Sequence, residues 1–214
     1  MINLFKKIKI NVEDTIKFIL KNSIIFAFVS FAFSMIGAFF PESEFTIVIG
    51  NPLVVSSVTY EHVLGHVFWG AIIGLGTLSI RYIILGGSFA IFLDSDHLLQ
   101  FLDIELVSRM SHSIPFAVIV SIVFFVILRG KDIRICAVAF GAVLSHIAFD
   151  IFLADVALNS GTEFPLFSPF TFETVSFQGL DWLGVQIIGV SVVAIVSYFY
   201  KRKEIKLKNN LTKT

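Results

Sequence analysis

Long uncharged apolar runs alternate along the chain with short charged segments, and the runs have the length of membrane-crossing helices. A helix needs about 20 mostly apolar residues to cross a hydrocarbon core of about 30 Å. Six runs meet or approach that length: Asn22 to Phe40, His62 to Ile80, Tyr82 to Phe101, Ser113 to Leu128, Ile135 to Ala154 and Leu183 to Tyr200. The pattern predicts an all-α, polytopic membrane bundle of six transmembrane helices. Pro115 falls in the first turn of the fourth run, where its missing N–H costs nothing. Residues 1–20 mix basic and apolar positions and predict an interfacial helix. The first run, 19 residues long with no small-x-small site before Pro41, reads as a retained anchor and not as a cleaved signal. Between the first two runs, Thr46 to Val55 carries two β-prone stretches around Gly50-Asn51-Pro52, which signals a small hairpin.

Composition changes this picture little. Apolar residues make up 56% of the 214, charged residues 15%, and the mean hydropathy is +0.89, which excludes an ordinary water-soluble domain. No basic patch lies outside the tails and short loops, so nucleic acid is not an expected partner. A lone cysteine, Cys136, excludes an intramolecular disulfide.

The net charge is zero, yet the charges are segregated, and their placement orients the spans. With the N-terminus in the cytoplasm, 15 of the 16 Lys and Arg residues fall on the cytoplasmic side, and only Arg109 falls outside. The outer loops are acidic instead, with Glu42, Glu44, Glu61, Asp103, Glu105, Glu163, Glu173 and Asp181. An odd number of spans would put one basic tail on the wrong side, so both termini are expected in the cytoplasm. The chain then divides into a basic segment (residues 1–21), a membrane domain (22–200) and a basic tail (201–214), in a multi-pass protein of the cell membrane. Tyr60, Tyr82, Trp182, Tyr198 and Tyr200 sit at span ends, as interfacial aromatics do; Trp69 does not and is expected to pack within the bundle.

The informative residues are the ionisable ones inside the spans, each of which costs a few kcal/mol, about 2.5 to 3.5 for Asp at a helix centre. They are not scattered. His62, His66, Asp94, Asp96, His97, His112, His146 and Asp150 all map to the outer ends of spans two to five, and these include all five histidines. A rise of 1.5 Å per residue puts His146 and Asp150 about 6 to 12 Å beneath the outer edge. His62 with His66 and His146 with Asp150 are i, i+4 pairs, and Asp94 with His97 is i, i+3, so each pair shares a helix face. Asp94 and Asp96 would diverge on a regular helix and converge only if it ends or unwinds.

Imidazole and carboxylate ligands from four helices suit zinc, or manganese or iron, as one or two divalent ions. Such a site activates water and polarises a phosphoryl or carbonyl oxygen. An entrance at the lipid–water boundary implies a membrane-associated substrate, such as a phospholipid or another phosphate or acyl ester, with membrane lipids as partners. We assign His66, Asp94, Asp96, His112, His146 and Asp150 as metal ligands, and His97 or His62 as general acid or base. Arg109 is the candidate for holding an anionic substrate group. Two other readings are carried: a non-catalytic metal-binding structural or regulatory protein, and an ion or proton pathway. A pathway predicts polar residues continuing inward from His146, whereas Ile135 to Val143 is apolar apart from Cys136 and small residues.

His66-Val-Phe-Trp-Gly70, Asp94-Ser-Asp96-His97, His112-Ser113, Ser145-His146-x-x-x-Asp150 and Phe164-Pro-Leu-Phe-Ser-Pro169 occur in an order that resembles a known family. That family is the YdjM-like membrane-bound, metal-dependent hydrolases, also described as LexA-binding and inner-membrane-associated, whose motifs are His-x-x-x-Gly, Pro-Asp-x-Asp-His, His-Ser, Ser-His-x-x-x-Asp and a Pro-rich segment. The resemblance covers residues 62–170 and implies membrane placement, metal ligation and hydrolysis. Leu93 replaces the family's Pro, and Ser108-Arg109 replaces its His-Arg, so a ligand supplied by that His would here be missing or replaced by His97.

Overall fold

The computed structural model describes residues 12–40, 49–51, 59–102, 109–158 and 162–211. Within them lie six α-helices: α1 (Val12–Ser34), α2 (Tyr60–Leu75), α3 (Ile80–Phe92), α4 (Ile114–Ile127), α5 (Ile133–Leu158) and α6 (Asp181–Leu211). Each corresponds to one apolar run, but the boundaries differ. α1 begins within the segment read as an interfacial helix and runs straight into the first apolar run, ending in a 3-10 turn, Met35–Phe39. α6 continues helically to Leu211, through the segment read as a tail. α2 stops at Leu75, earlier than expected, because Thr77 turns the chain: its hydroxyl donates to the Gly74 carbonyl. Most of the Thr46 to Val55 hairpin reading lies outside the described residues.

Four helical stretches are long and apolar enough to cross a membrane: Val12–Phe39, Ile80–Phe101, Ile133–Asp155 and Asp181–Asn210. α2 and α4, at 16 and 14 residues, are shorter.

α5 is the centre of the bundle. It is apolar around most of its circumference, the mark of a core helix, and Val138, Ala139, Ala142, Val143, Ile147 and Ile151 are buried. α2, α3, α4 and α6 pack around it, and α1 lies across α3 and the segment that follows α3. Small residues draw α2 and α3 together: a Cβ on Gly70 would collide with the Gly86 carbonyl, and one on Gly74 with the Tyr82 carbonyl. This close approach brings His66 on α2 level with the end of α3.

There the backbone departs from α geometry. After Phe92 the chain winds as a 3-10 helix, Leu93–Phe101. Non-helical backbone inside a bundle needs other partners for its polar groups. α1 supplies them in both directions: Ser30 Oγ donates to the Leu93 carbonyl at 2.9 Å, and Ser95 Oγ donates to the Ala27 carbonyl at 3.0 Å.

The segment after α5, read from sequence as a Pro-rich loop, forms two short antiparallel strands, β1 (Thr162–Phe164) and β2 (Val175–Phe177), with Glu163 opposite Ser176. Glu163, read as a solvated loop charge, accepts hydrogen bonds from Thr174 and Ser176. The segment is tied to the start of α4, where Ile114 N–H donates to the Leu166 carbonyl.

Candidate metal centre

The eight His and Asp residues singled out in spans two to five converge. His62 and His66 come from the first two turns of α2, with Thr59 capping that helix by accepting from the His62 N–H. Asp94, Asp96 and His97 come from the 3-10 segment, His112 from the turn before α4, and His146 and Asp150 from the buried face of α5. The 3-10 winding resolves the divergence of Asp94 and Asp96. Residues i and i+2 stand about 200° apart on an α-helix but about 240°, or 120° the other way, on a 3-10 helix, while i and i+3 eclipse. Asp94, Asp96 and His97 thereby offer ligand atoms within 4.8 Å of one another. His112 is set by the cap of α4, where Ser113 Oγ accepts from Phe116 N–H.

Asp94 sits at the centre. Its Oδ2 lies 3.5 Å from His62 Nε2 and 3.7 Å from His66 Nε2. Its Oδ1 lies 3.2 Å from His146 Nε2 and 3.6 Å from both His112 Nε2 and His97 Nε2. Asp150 spans the same two sides, with Oδ1 3.3 Å from His66 Nε2 and Oδ2 3.6 Å from His146 Nε2. Asp96 Oδ2 lies 3.7 Å from His112 Nδ1 and accepts from Ser111 Oγ at 3.2 Å.

The donor set is short of hydrogens. The Ala90 carbonyl can only accept, so His146 Nδ1, 2.8 Å away, carries the proton and a neutral ring presents Nε2 as a lone pair. That lone pair faces His112 Nε2 at 2.9 Å, and His62 Nε2 faces His66 Nε2 at 3.1 Å. Asp94 Oδ2, Asp96 Oδ1 and His66 Nδ1 are buried without a hydrogen-bond partner. Among the described residues no Lys or Arg forms an ion pair with these three carboxylates. Buried polar atoms are nearly always satisfied, so closely opposed ring nitrogens beside unpartnered buried oxygens form a group that could hold a cation.

The spacing fits one. Two ligands bound to a first-row cation at about 2.0–2.2 Å stand about 2.9–3.5 Å apart for angles between a right angle and the tetrahedral one. Four groupings have ligand atoms close enough to share an ion: His62, His66 and Asp150; His66, Asp94 and His146; His112, His146 and Asp150; and Asp94, Asp96 and His97. The His146 bond to the Ala90 carbonyl is the outer contact expected of a metal-binding imidazole, fixing its tautomer and orientation.

Exposure separates the members. His66 and His146 side chains are 0% exposed and His112 6%, whereas His62 is 17% and His97 28% exposed, so these two form the rim. Arg109 does not join the cluster. Its guanidinium lies 4.8 Å from the Phe164 ring, and Nη1 donates to the Glu163 carbonyl. Trp69 is half-buried, packed against Phe149, Phe152 and Trp182. Tyr82, in the first turn of α3, is buried and donates to Asp132.

Four contributors escaped the sequence reading. Ser111 was legible as the neighbour of His112-Ser113. Ser30 and Ser95, which hold the 3-10 winding, had only weak signals: Ser30 is a hydroxyl inside an apolar run, and Ser95 stands between Asp94 and Asp96. The Ala90 carbonyl, a backbone group, had none.

Comparison with curated proteins found no match, and neither did comparison with solved structures. A family model does match, over residues 59–211, a stretch that takes in α2 to α6 and every member of the His/Asp cluster. The chain belongs to the YdjM inner membrane protein family.

Proposed function

We propose that this membrane protein is a metal-dependent hydrolase whose His/Asp cluster faces the extracytoplasmic side. The observation that carries the reading is the convergence itself: five imidazoles and three carboxylates meet, buried oxygens among them lack a hydrogen-bond partner, and no Lys or Arg among the described residues pairs with them. His66, Asp94, Asp96, His112, His146 and Asp150 hold one or two divalent ions, zinc by preference of the mixed nitrogen and oxygen set, or manganese or iron. When bound, such an ion supplies Lewis-acid polarisation and lowers the pKa of water toward about 7.

The chain's own residues do the rest. Asp94 and Asp150 each present their two oxygens to different imidazoles and would hold the metal together with them. His62 and His97, at the rim, are the groups that reach bulk water and pass a proton to or from the substrate. Arg109 holds an anionic substrate group; its packing over Phe164 pre-orients the guanidinium.

The six helices cross the membrane with both termini in the cytoplasm, and the basic stretches 1–21 and 201–214 flank membrane domain 22–200. The charge bias supports this orientation, and α2 and α4, about 24 and 21 Å long at 1.5 Å per residue, cross with the help of their flanking turns. A membrane-associated phosphate or acyl ester is the substrate class.

Elemental analysis of the detergent-purified protein beside His146→Ala and Asp150→Ala variants of matched folding tests the reading. Near-stoichiometric zinc, manganese or iron in the parent, lost in both variants, is the expected result. A parent that binds no metal even after reconstitution removes the hydrolase mechanism and leaves hydrogen-bonded packing or proton transfer.

A further inference from the structure

An apolar groove of about 400 Å³ runs between α2 and α6, lined by Phe68, Trp69 and Ile72 on one side and Trp182, Leu183 and Ile187 on the other. Its shape follows from the residues. α2 and α6 meet closely at Gly76, where an added Cβ would lie 3.0 Å from the Ala194 nitrogen. Toward the other end the two indoles fill the space, Trp69 and Trp182 meeting edge to face at 5.1 Å. Helices pinned by glycine at one end and propped by tryptophan at the other leave a tapering slot.

A layer of packed aromatic rings separates the slot from the His/Asp cluster. Phe152 packs 5.3 Å from both Trp69 and Trp182, and Phe149 lies 5.9 Å from Trp69. The opposite edge of Phe149 meets His66 at 4.7 Å and His62 at 6.3 Å. The slot and the rim histidine therefore lie on opposite sides of one aromatic layer. Within the lining, Gln186 is 6% exposed; its Nε2 donates to the Trp69 carbonyl, and its Oε1 has no hydrogen-bond partner. A buried amide oxygen left over in an apolar slot points to a ligand that carries a donor as well as a chain.

We propose that this groove seats one acyl chain of a membrane lipid whose polar end reaches the His62 rim of the cluster. The surrounding solvent argues for this occupant: the groove opens on α6, where Ile187 and Ile188 are exposed on a membrane-crossing helix, so lipid tails are the medium that meets it. Its volume lies in the range of ordinary ligand pockets, about 300–1,000 Å³. The inference rests on the proposed hydrolase reading for its purpose and not for its existence. As a consequence, the substrate class narrows to esters that carry a long acyl chain.

Photolabelling tests it. The full chain is reconstituted into phosphatidylethanolamine–phosphatidylglycerol vesicles containing a small fraction of phosphatidylethanolamine with a diazirine in one acyl chain, and the adducts are mapped by mass spectrometry. Labels should concentrate on Leu183 and Ile187 over comparably exposed positions of α4, Ile122 and Val126, by several-fold. Ser191→Trp, which places an indole in the slot from its exposed edge, should lower groove labelling to the α4 level; Ile187→Trp serves if the first variant does not fold. Even labelling, or labelling indifferent to both fillings, overturns the proposal. So does a groove shielded from label while cysteines placed at its rim cross-link two copies of the chain. Metal content, measured on the same samples with and without chelator, separates the two readings: groove labelling without metal leaves the lipid seat standing and removes the hydrolase, and metal without groove labelling does the reverse.

Discussion

Two charge clusters, one partly and one deeply buried, lie about 18 Å apart along α5, the distance that 12 residues of helix cover between Arg134 and His146. Around Asp132 every lone pair has a hydrogen. Its carboxylate accepts from Arg134 Nε at 2.9 Å, from Arg134 Nη2 at 3.1 Å, from the Arg134 backbone N–H and from the Tyr82 hydroxyl. The guanidinium is further packed against the rings of Tyr82 and Tyr200, at 4.8 and 4.1 Å. Around Asp94 the reverse holds: ring nitrogens crowd one another, and Asp94 Oδ2 and Asp96 Oδ1 are buried without a hydrogen-bond partner. Both clusters bury carboxylates within one bundle. The first closes on itself and joins α3, α5 and α6, as a structural network does; the second leaves buried polar atoms unpartnered.

That contrast is open to attack. The largest effect is expected from Asp94→Ala, which removes the carboxylate facing all the imidazoles but leaves the fold: bound metal should fall from near-stoichiometric to background by elemental analysis. Retained metal would show that Asp94 is a spectator. Next, Asp132→Ala strands a partly buried guanidinium and should lower stability in detergent unfolding by about 3 kcal/mol, at the low end for buried pairs because Asp132 keeps some exposure, with metal per folded chain unchanged. Loss of metal there would couple the clusters and spoil the distinction.

Chelation is expected to act between these and the smallest effect. A metal held at a hundred times its dissociation constant stabilises by about 2.7 kcal/mol, so a chelator should lower the parent's melting temperature by several degrees and leave that of Asp94→Ala unmoved. Equal shifts in both would place the stabilising metal elsewhere. Smallest, Ser30→Ala removes the donor to the Leu93 carbonyl and should cost about 0.6 kcal/mol, the average for polar contacts between membrane helices, with a slight weakening of metal affinity in a chelator competition. A loss of several kcal/mol would mean that the 3-10 winding depends on that one hydroxyl.

Much of this was legible in the chain. All six helices follow from apolar run length, because a bilayer-spanning helix must satisfy its backbone internally and show lipid an apolar surface. The eight His and Asp residues stood out for the same reason, since ionisable groups at such depth need a joint cause. Less legible were α1, whose helix begins in a polar stretch at Val12, and the pairing of Thr162–Phe164 with Val175–Phe177, where strands of three residues are too short to set a period. Arg109 was singled out for its charge, and its position over Phe164 depends on a strand contact that spacing does not encode.

Sequence by itself determined that this is a helical membrane protein with its polar residues gathered in one layer, because hydropathy and charge act residue by residue along the chain. Only the tertiary structure decided which atoms of that layer meet. Asp94 and Asp96 share a site because hydroxyls of α1 hold the 3-10 winding. His66 reaches them because glycines let α2 close on α3, and His146 presents Nε2 because the carbonyl of Ala90 takes its other proton. These are contacts between distant segments, and their geometry is set by packing that no local pattern records.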